Sequence, residues 1–347
     1  MSTNNKKDNP DSDVVSIADD LVLRRFTQPL TDLLIDENIN ELMINGEGEI
    51  FIEKGGINTK YIDTEKTFTE TKLHRIANAI ASSAKQRLDE TAPLLSAELP
   101  NGERVQIVIP PCVPKGKIVF SIRKHQGNVL SLDDYEKAGS FKSIRLSKEK
   151  AVNPLDQELQ KAYNNKEIKK FFELCIKTKK NIVVAGDTGS GKTTFTNALL
   201  SIIPDTDRVI TIEDVREAVL SVPNSVNLLM SDGNQGTADI DADRLLKTCL
   251  RLNPDRIIVS EIRGAEITSF LGAIESGHSG CITSLHAGSC DDAWRRMLKM
   301  MRMSPMNSHS TDEFLLQSLH HSIDVIIFFQ KDSDGVRRPK EIHYEGT

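Results

Sequence analysis

One segment of the 347-residue sequence combines glycines, a lysine and threonines at a spacing suited to binding phosphate. It matches the Walker A pattern G-x-x-x-x-G-K-[ST] at every fixed position and follows a short apolar run. Glycine lets backbone N–H groups turn toward phosphate oxygens at the start of a helix. We expect Lys192 to reach the β- and γ-phosphates of a nucleoside triphosphate and the Thr193 hydroxyl to hold Mg²⁺. The residues predicted to bind the nucleotide are Gly186, Asp187, Thr188, Gly189, Ser190, Gly191, Lys192, Thr193 and Thr194.

Two carboxylates follow other apolar runs and are candidates to complete a metal site or to position water. Glu261 comes directly after the run 256–260. An acid at the carboxyl end of a parallel strand lies at the ligand crevice of an α/β sheet, so we predict that Glu261 is the Walker B acid. Glu213 follows the run 209–212. From the residues alone, Glu213 fits a surface charge as well as it fits a catalytic group.

Two histidines flank the short apolar segment 280–284. His278 and His286 lack cysteines or carboxylates at metal-ligand spacing, so a metal site is a poor interpretation. A sensor of the γ-phosphate or a polar relay fits better, because this segment is expected to form a strand beside the phosphate-loop strand. A purely structural role in hydrogen bonding stays open.

The second half of the chain has the pattern of a parallel sheet that helices cover on both faces. Short, continuously apolar runs alternate with helical stretches such as the amphipathic segment 166–180. The runs are 181–185, 209–212, 256–260, 280–284 and 325–329. We predict an α/β domain over residues 166–347.

The first half mixes helical and strand patterns and predicts a smaller α+β domain over residues 17–126. Residues 1–16 are rich in Asn, Asp, Lys and Ser and predict a disordered arm. The polar stretch 127–165 predicts a linker with some helical content. The expected helices are 21–34 and 68–85, and the expected strands are 104–109, 117–123 and a pair around the turn 45–48.

Composition bounds the class of protein. With 38% hydrophobic and 27% charged residues, the chain can bury a sizeable core in two domains. The net charge of -6 excludes a uniformly basic nucleic-acid binder. No apolar run approaches the roughly 20 residues of a membrane-spanning helix, and no signal-peptide pattern is present, so we expect a cytoplasmic protein. The five cysteines form no C-x-x-C pair, so we expect neither a zinc ribbon nor disulfides.

Taken together, these motifs resemble the secretion traffic ATPases, which are RecA-like motors, and within them the VirB-type traffic ATPases of type IV secretion systems. This family has a Walker A loop, an Asp box, a Walker B motif and a His box in that order. The last three match 211–217, 250–264 and 277–287, and the N-terminal half matches at 99–106 and 121–124. Ser260 departs from the family, which usually has Gly before the Walker B glutamate, but it removes no catalytic group.

The resemblance implies a C-terminal RecA-like P-loop domain with a mostly parallel sheet, a smaller N-terminal α+β domain, and hydrolysis of ATP to ADP and phosphate with Mg²⁺. It implies that Glu261 supports Mg²⁺ directly or through water and that Glu213 acts on the attacking water, although the division of labour between them stays open. It implies that His286 contacts the nucleotide region or couples it to the neighbouring motif. Arg104 and Arg123 match arginines that approach the phosphates.

The resemblance further implies a homohexamer that powers pilus assembly or substrate translocation in a type IV secretion or conjugation system through hydrolysis-driven domain motions. It implies peripheral association with the cytoplasmic face of the bacterial inner membrane. The expected partners are other secretion ATPases and inner-membrane components, without sequence-specific binding of nucleic acid.

Three alternatives stay open: a type II secretion or type IV pilus motor, a RecA-like nucleic-acid motor, and a scaffold that only binds nucleotide. The C-x-x-C pairs of type II relatives are absent from the sequence. The low aromatic content opposes a nucleic-acid motor. The complete set of Lys192, Thr193, Glu213 and Glu261 opposes a scaffold without hydrolysis.

Overall fold

The computed structural model describes residues 10–124, 131–144, 154–231, 238–344 and 346, with side chains described from residue 21 onward. These residues form two compact units. The first comprises those within Met1–His125 and Ser231–Asp239, and the second those within Gln126–Met230 and Ile240–Thr347. In the part of the chain that the structure describes, no helix is both long enough and apolar enough to cross a bilayer.

The first unit contains a six-stranded sheet in which every paired strand is antiparallel. The strand order is β3-β2-β1-β6-β5-β4. Its elements are α1 (Pro10–Leu34), α2 (Glu70–Ser83), β1 (Glu41–Ile44), β2 (Ile50–Lys54), β3 (Ile57–Tyr61), β4 (Leu94–Glu98), β5 (Arg104–Val108) and β6 (Val119–Arg123).

Helices α1 and α2 bury their apolar stripes against this sheet. Leu30 and Leu34 of α1 and Leu73 and Ile80 of α2 share one core with alternate residues of the strands, such as Phe120. Apolar residues three and four apart lie on one face of a helix, whereas alternate residues lie on one face of a strand, so one core satisfies both patterns. The predicted α+β class is confirmed, and the helix that the pattern indicated at 21–34 extends back to Pro10.

The second unit is built on a seven-stranded sheet in the order β13-β12-β7-β11-β10-β8-β9. Neighbouring strands are parallel except at β13, which pairs antiparallel with β12 at one edge. Its helices are α3 (Leu132–Lys137), α4 (Pro154–Asn164), α5 (Ile168–Lys177), α6 (Lys192–Leu200), α7 (Ala242–Cys249), α8 (Ile267–Glu275), α9 (Cys290–Met303) and α10 (Asp312–Ser322). Its strands are β7 (Ile182–Gly186), β8 (Val209–Glu213), β9 (Ser225–Leu229), β10 (Arg256–Val259), β11 (Ile282–Leu285), β12 (Val325–Lys331) and β13 (Arg337–Tyr344).

The four central strands β7, β8, β10 and β11 are buried at every position, which requires cover on both faces of the sheet. Helices α4, α5 and α6 share a core with one face, and α7 to α10 pack on one another and on strands β8 and β12. The predicted mostly parallel α/β sheet is confirmed. The predicted neighbour relation is also confirmed, because β11 pairs in parallel with the phosphate-loop strand β7.

Two segments differ from the sequence analysis. Helix α4 lies inside the predicted linker 127–165, yet Leu159 and Ala162 are buried in the core of the second unit. Their three-residue spacing places both on one helical face, so this end of the predicted linker is part of the fold. The predicted disordered arm 1–16 overlaps α1 from Pro10, and residues 1–9 lie outside the described residues.

Candidate functional site

The phosphate loop joins the carboxyl end of β7 to the start of α6. Gly186 and Gly191 have φ values of 153° and 102°, which side chains rarely allow. A Cβ on Gly186 would overlap the Phe329 carbonyl and approach the Ser190 hydroxyl to 2.6 Å. Helix α6 begins after Gly191 without a side-chain cap, so its first N–H groups are directed at the loop's ligand side.

Lys192 lies across this loop. Its Nζ donates to the carbonyl oxygens of Gly186 at 2.7 Å and Asp187 at 3.0 Å. Partial burial lowers the pKa of Lys192, and the negative charges of Glu261 and Asp187 oppose that shift. A half-buried ammonium is strongly attracted to phosphate, because less water screens the interaction.

Three of the predicted site residues meet at the carboxyl ends of β10 and β11. His286 Nε2 lies 3.1 Å from Glu261 Oε1, and His286 Nδ1 lies 3.5 Å from Lys192 Nζ. The imidazole therefore bridges the Walker B acid and the phosphate-loop lysine. The other histidine of the pair lies elsewhere, with His278 Nδ1 3.2 Å from the Pro254 carbonyl oxygen.

The sequence analysis did not identify Arg263 as a site residue. Its guanidinium joins two carboxylates, with Nη2 3.0 Å from Glu261 Oε2 and Nη1 2.5 Å from Asp214 Oδ2. The hydrogen bond to Glu261 is the main reason that the pKa of Arg263 is raised. Its position two residues after the Walker B acid was the available signal, because both follow the end of the same strand.

Glu213 is almost completely buried, with 1% of its surface exposed. Its Oε2 accepts hydrogen bonds from the backbone N–H groups of Glu217 at 2.7 Å and Ala218 at 2.8 Å, and its Oε1 accepts one from the Thr211 hydroxyl at 2.7 Å. The surface-charge alternative for Glu213 is therefore wrong. The carboxylate fixes the loop that follows β8.

Glu213 also lines a cavity of about 40 Å³ beside Thr193. Glu217, Ser260 and Ser284, whose side chains carry oxygen atoms, also line this cavity. The Thr193 hydroxyl donates a hydrogen bond to Glu217 Oε2 at 3.2 Å. Like the contacts of Arg263, this hydrogen bond was not evident from the motif spacing. Mg²⁺ prefers oxygen ligands, so the donor set of this cavity fits that ion. Glu261, the other predicted metal residue, does not line this cavity and instead pairs with His286 and Arg263.

Ser260 fits its unusual position without loss of sheet structure. Its N–H donates to the Ile212 carbonyl at 2.9 Å, and its carbonyl accepts the Ser284 hydroxyl at 2.7 Å. The substitution therefore adds a cavity-lining side chain.

In the first unit, Arg104 and Arg123 lie directly opposite each other on β5 and β6, and both are exposed. In the strand register, Glu98 of β4 lies opposite Arg104, and Glu41 of β1 lies opposite Arg123. Glu41 also forms an ion pair with Arg123, with Arg123 Nε 3.6 Å from Glu41 Oε1. Like charges directly opposite on a sheet are destabilising. The two arginines lie side by side, with Glu98 and Glu41 on their outer sides.

Comparison with known proteins identifies the family. The sequence model of the family described as Type II/IV secretion system protein matches residues 25–330. The chain belongs to this family. It is 35% identical over 328 residues to the type IV secretion system protein VirB11 of Bartonella henselae, covering 92% of this chain and 91% of that protein. It is 36% identical over 323 residues to VirB11 of Brucella suis, covering 92% and 89%.

A solved structure agrees with the sequence comparison. The crystal structure of the VirB11 ATPase from the Brucella suis type IV secretion system, in complex with sulphate, matches with a TM-score of 0.88 at 34% identity. The match covers 95% of this chain and 96% of that one. The predicted resemblance to VirB-type traffic ATPases is confirmed.

Proposed function

We propose that this protein is an ATP hydrolase of a type IV secretion system and that its second unit carries the reaction. The observation that supports this most is that Lys192, His286 and Glu261 meet at the carboxyl-terminal edge of the parallel strands. Ligands of open α/β sheets bind at that edge. Similarity to VirB11 proteins supports the secretion role.

Each residue has a proposed task. Lys192 exchanges its loop carbonyl partners for phosphate oxygens and stabilises charge on the transferring phosphoryl group. Thr193 would hold Mg²⁺, and Glu261, which lies outside the cavity wall, would support the ion directly or through water; the ion would supply further charge neutralisation. Glu213 lies in the cavity wall, where it orients the attacking water or accepts a proton from that water. His286 reports the state of the phosphates to Glu261 through its two ring nitrogens.

We further propose that Arg104 and Arg123 contribute positive charge to the bound phosphates, as an arginine finger does. Their exposure and their direct opposition on β5 and β6 support this task. The proposed working form is a homohexamer at the cytoplasmic face of the inner membrane, where hydrolysis drives domain motions for pilus assembly or substrate translocation. Its proposed partners are other type IV secretion ATPases and inner-membrane components.

Steady-state hydrolysis of ATP, measured against protein concentration together with native mass, tests the activity and the assembly. Lys192→Ala should lower turnover at least ~100-fold, because it removes one preorganised electrostatic contact. Lys177→Ala is a matched control, since Lys177 is an exposed lysine on α5, and it should leave turnover unchanged. Turnover near the wild-type value in folded Lys192→Ala would refute the proposed site. A mass that stays monomeric with Mg²⁺ and ATP at micromolar concentration would refute the ring.

Titration of Mg²⁺ against a fluorescent ATP analogue separates the two acids. Glu261→Gln should weaken the Mg²⁺ dependence of binding, whereas Glu213→Gln should bind normally and fail to hydrolyse. The opposite pattern would reverse their assignments.

A further inference from the structure

The C-terminal hairpin of β12 and β13 lies beside the phosphate loop. Strand β12 runs parallel to β7 with Phe329 opposite Gly186, so the end of β12 passes the point where the phosphate loop begins. Strand β13 then returns, with Arg337 opposite Lys331. A Cβ built on Gly191 would lie 3.3 Å from both Cβ and Cδ of Arg337, so the stem of this arginine covers Gly191.

Two of the basic side chains of this hairpin form ion pairs with acidic side chains, whereas Arg337 differs from them. Arg338 Nη2 lies 3.0 Å from Asp334 Oδ2, and Lys340 Nζ lies 2.6 Å from Asp332 Oδ1. Arg338 also pairs with Asp332. Among the described residues, no ion pair or hydrogen bond involves the exposed guanidinium of Arg337. Adjacent residues of a strand direct their side chains to opposite faces, which separates Arg337 from the acids that bind Arg338.

We propose that Arg337 binds the phosphates of the nucleotide from the C-terminal hairpin of the same chain. This inference rests on the proposed function of the phosphate loop. Cδ of Arg337 lies 3.3 Å from where a Cβ of Gly191 would be, and Gly191 is the last residue before α6. The guanidinium begins one bond beyond Cδ, so it lies close to the start of that helix. Arg337 has no carboxylate partner in the described part of the chain and lies beside an anion-binding helix start, so it is placed for a charge-assisted hydrogen bond to phosphate.

The contribution of Arg337 is to affinity rather than to the chemical step. Its stem lies over Gly191 of the loop, whereas Glu213 and Thr193 share the cavity assigned to water and metal. An interaction of equal strength in the ground and transition states lowers KM and leaves kcat unchanged. Loss of the guanidinium should therefore raise KM for ATP with little change in kcat.

Three variants separate the charge of Arg337 from its stem. Arg337→Met keeps an apolar stem over Gly191 and removes the charge, and Arg337→Lys keeps a charge. Arg338→Met is the matched control, because Arg338 is the next residue of the same strand and is paired with Asp332 and Asp334. The measurements are the dissociation constants of Mg²⁺-ADP and AMP by calorimetry at low and high salt, together with KM and kcat for ATP.

We expect Arg337→Met to bind Mg²⁺-ADP about tenfold more weakly than the wild type, in the lower range for a hydrogen bond to a charged group. The salt dependence of binding should become shallower, Arg337→Lys should recover part of the affinity, and Arg338→Met should match the wild type. Wild-type affinity in Arg337→Met, or an equal loss in Arg338→Met, would overturn the proposal. If Lys192→Ala binds Mg²⁺-ADP as tightly as the wild type, the proposed nucleotide site itself fails, and the two failures are therefore distinguishable.

Discussion

Substitution of Glu213 by glutamine should stop hydrolysis without unfolding the loop after β8. The carboxylate holds two consecutive backbone N–H groups, those of Glu217 and Ala218, at 2.7 and 2.8 Å. The amide oxygen of glutamine can accept both bonds. Its NH₂ group can donate to the second lone pair of Thr211 Oγ1, which also accepts from Asn227 Nδ2 at 3.0 Å, while the weak 3.4 Å bond from Asn227 Nδ2 to Glu213 is lost.

The structure gives an expected cost for each substitution. A hydrogen bond to a charged group contributes about 1.5–3 kcal/mol and a neutral one about 0.5–1.5 kcal/mol, so the three bonds that become neutral, including the one to Thr211, cost about 3 kcal/mol of unfolding free energy. Glu213→Ala leaves both N–H groups without their acceptor and should cost about 4 kcal/mol. Removal of a catalytic base lowers turnover by about 10²- to 10⁴-fold.

Urea denaturation, steady-state turnover and binding of a fluorescent ATP analogue measure these quantities on the same variants. Glu266→Gln is a matched control, because Glu266 Oε1 also accepts two consecutive backbone N–H groups, those of Arg263 at 2.6 Å and Gly264 at 2.8 Å. It should lose stability in the same direction and keep most of its turnover. Turnover near wild type in Glu213→Gln, or equal loss of turnover in Glu266→Gln, would show that the Glu213 carboxylate only anchors the loop.

Three further predictions concern charge and burial. Burial lowers the pKa of Lys192 below its ordinary value of 10.5. Because bound phosphate favours the charged form, the affinity for ADP should be complete below that lowered pKa and should fall as the pH rises through it. Calorimetry across the alkaline range should show this loss for the wild type and no such loss for Lys192→Arg. Arg256→Met should cost about 3–5 kcal/mol of unfolding free energy, because it leaves Asp207, now 2.7 Å from Arg256 Nε, as an uncompensated buried charge; denaturation should show partial recovery when Asp207→Asn is added. None of the five cysteines forms a disulfide, and all five are buried, so a thiol reagent at pH 8 should label none of them before unfolding, and early labelling of the native protein would contradict this.

The sequence predicted the parallel sheet and the phosphate loop because both depend on local patterns. A run such as 182–186 is apolar at every position, and the glycines of the loop are required by its own backbone. Strand β9 was missed, since Ser225–Leu229 forms the edge of the sheet and is buried only at alternate positions. The charged strand β13 has no apolar pattern of its own, because most of it is exposed, and the sequence indicated it only through the hairpin turn at Asp334 and Gly335.

The sequence named candidate site residues but not the contacts that they make. The motifs identified Glu213, but its burial under the backbone of the next loop depends on the path of residues 214–218. Glu217 and Arg263 followed the predicted strands, and only the fold places one on Thr193 and the other on Asp214. The position of Arg337 depends on the register of a hairpin with an irregularity between Phe328 and Phe329, which no local pattern encodes.

The antiparallel strand β13 covers what would otherwise be an apolar edge of the sheet. Strand β12 contains the buried apolar run Val325–Phe329, and β13 pairs along its outer side. Proteolysis at the exposed turn near Gly335, followed by loss of the C-terminal fragment, would turn β12 into an apolar sheet edge with unpaired backbone groups. Such edges recruit strands from other molecules, so a clipped chain should precipitate even if its phosphate loop were intact.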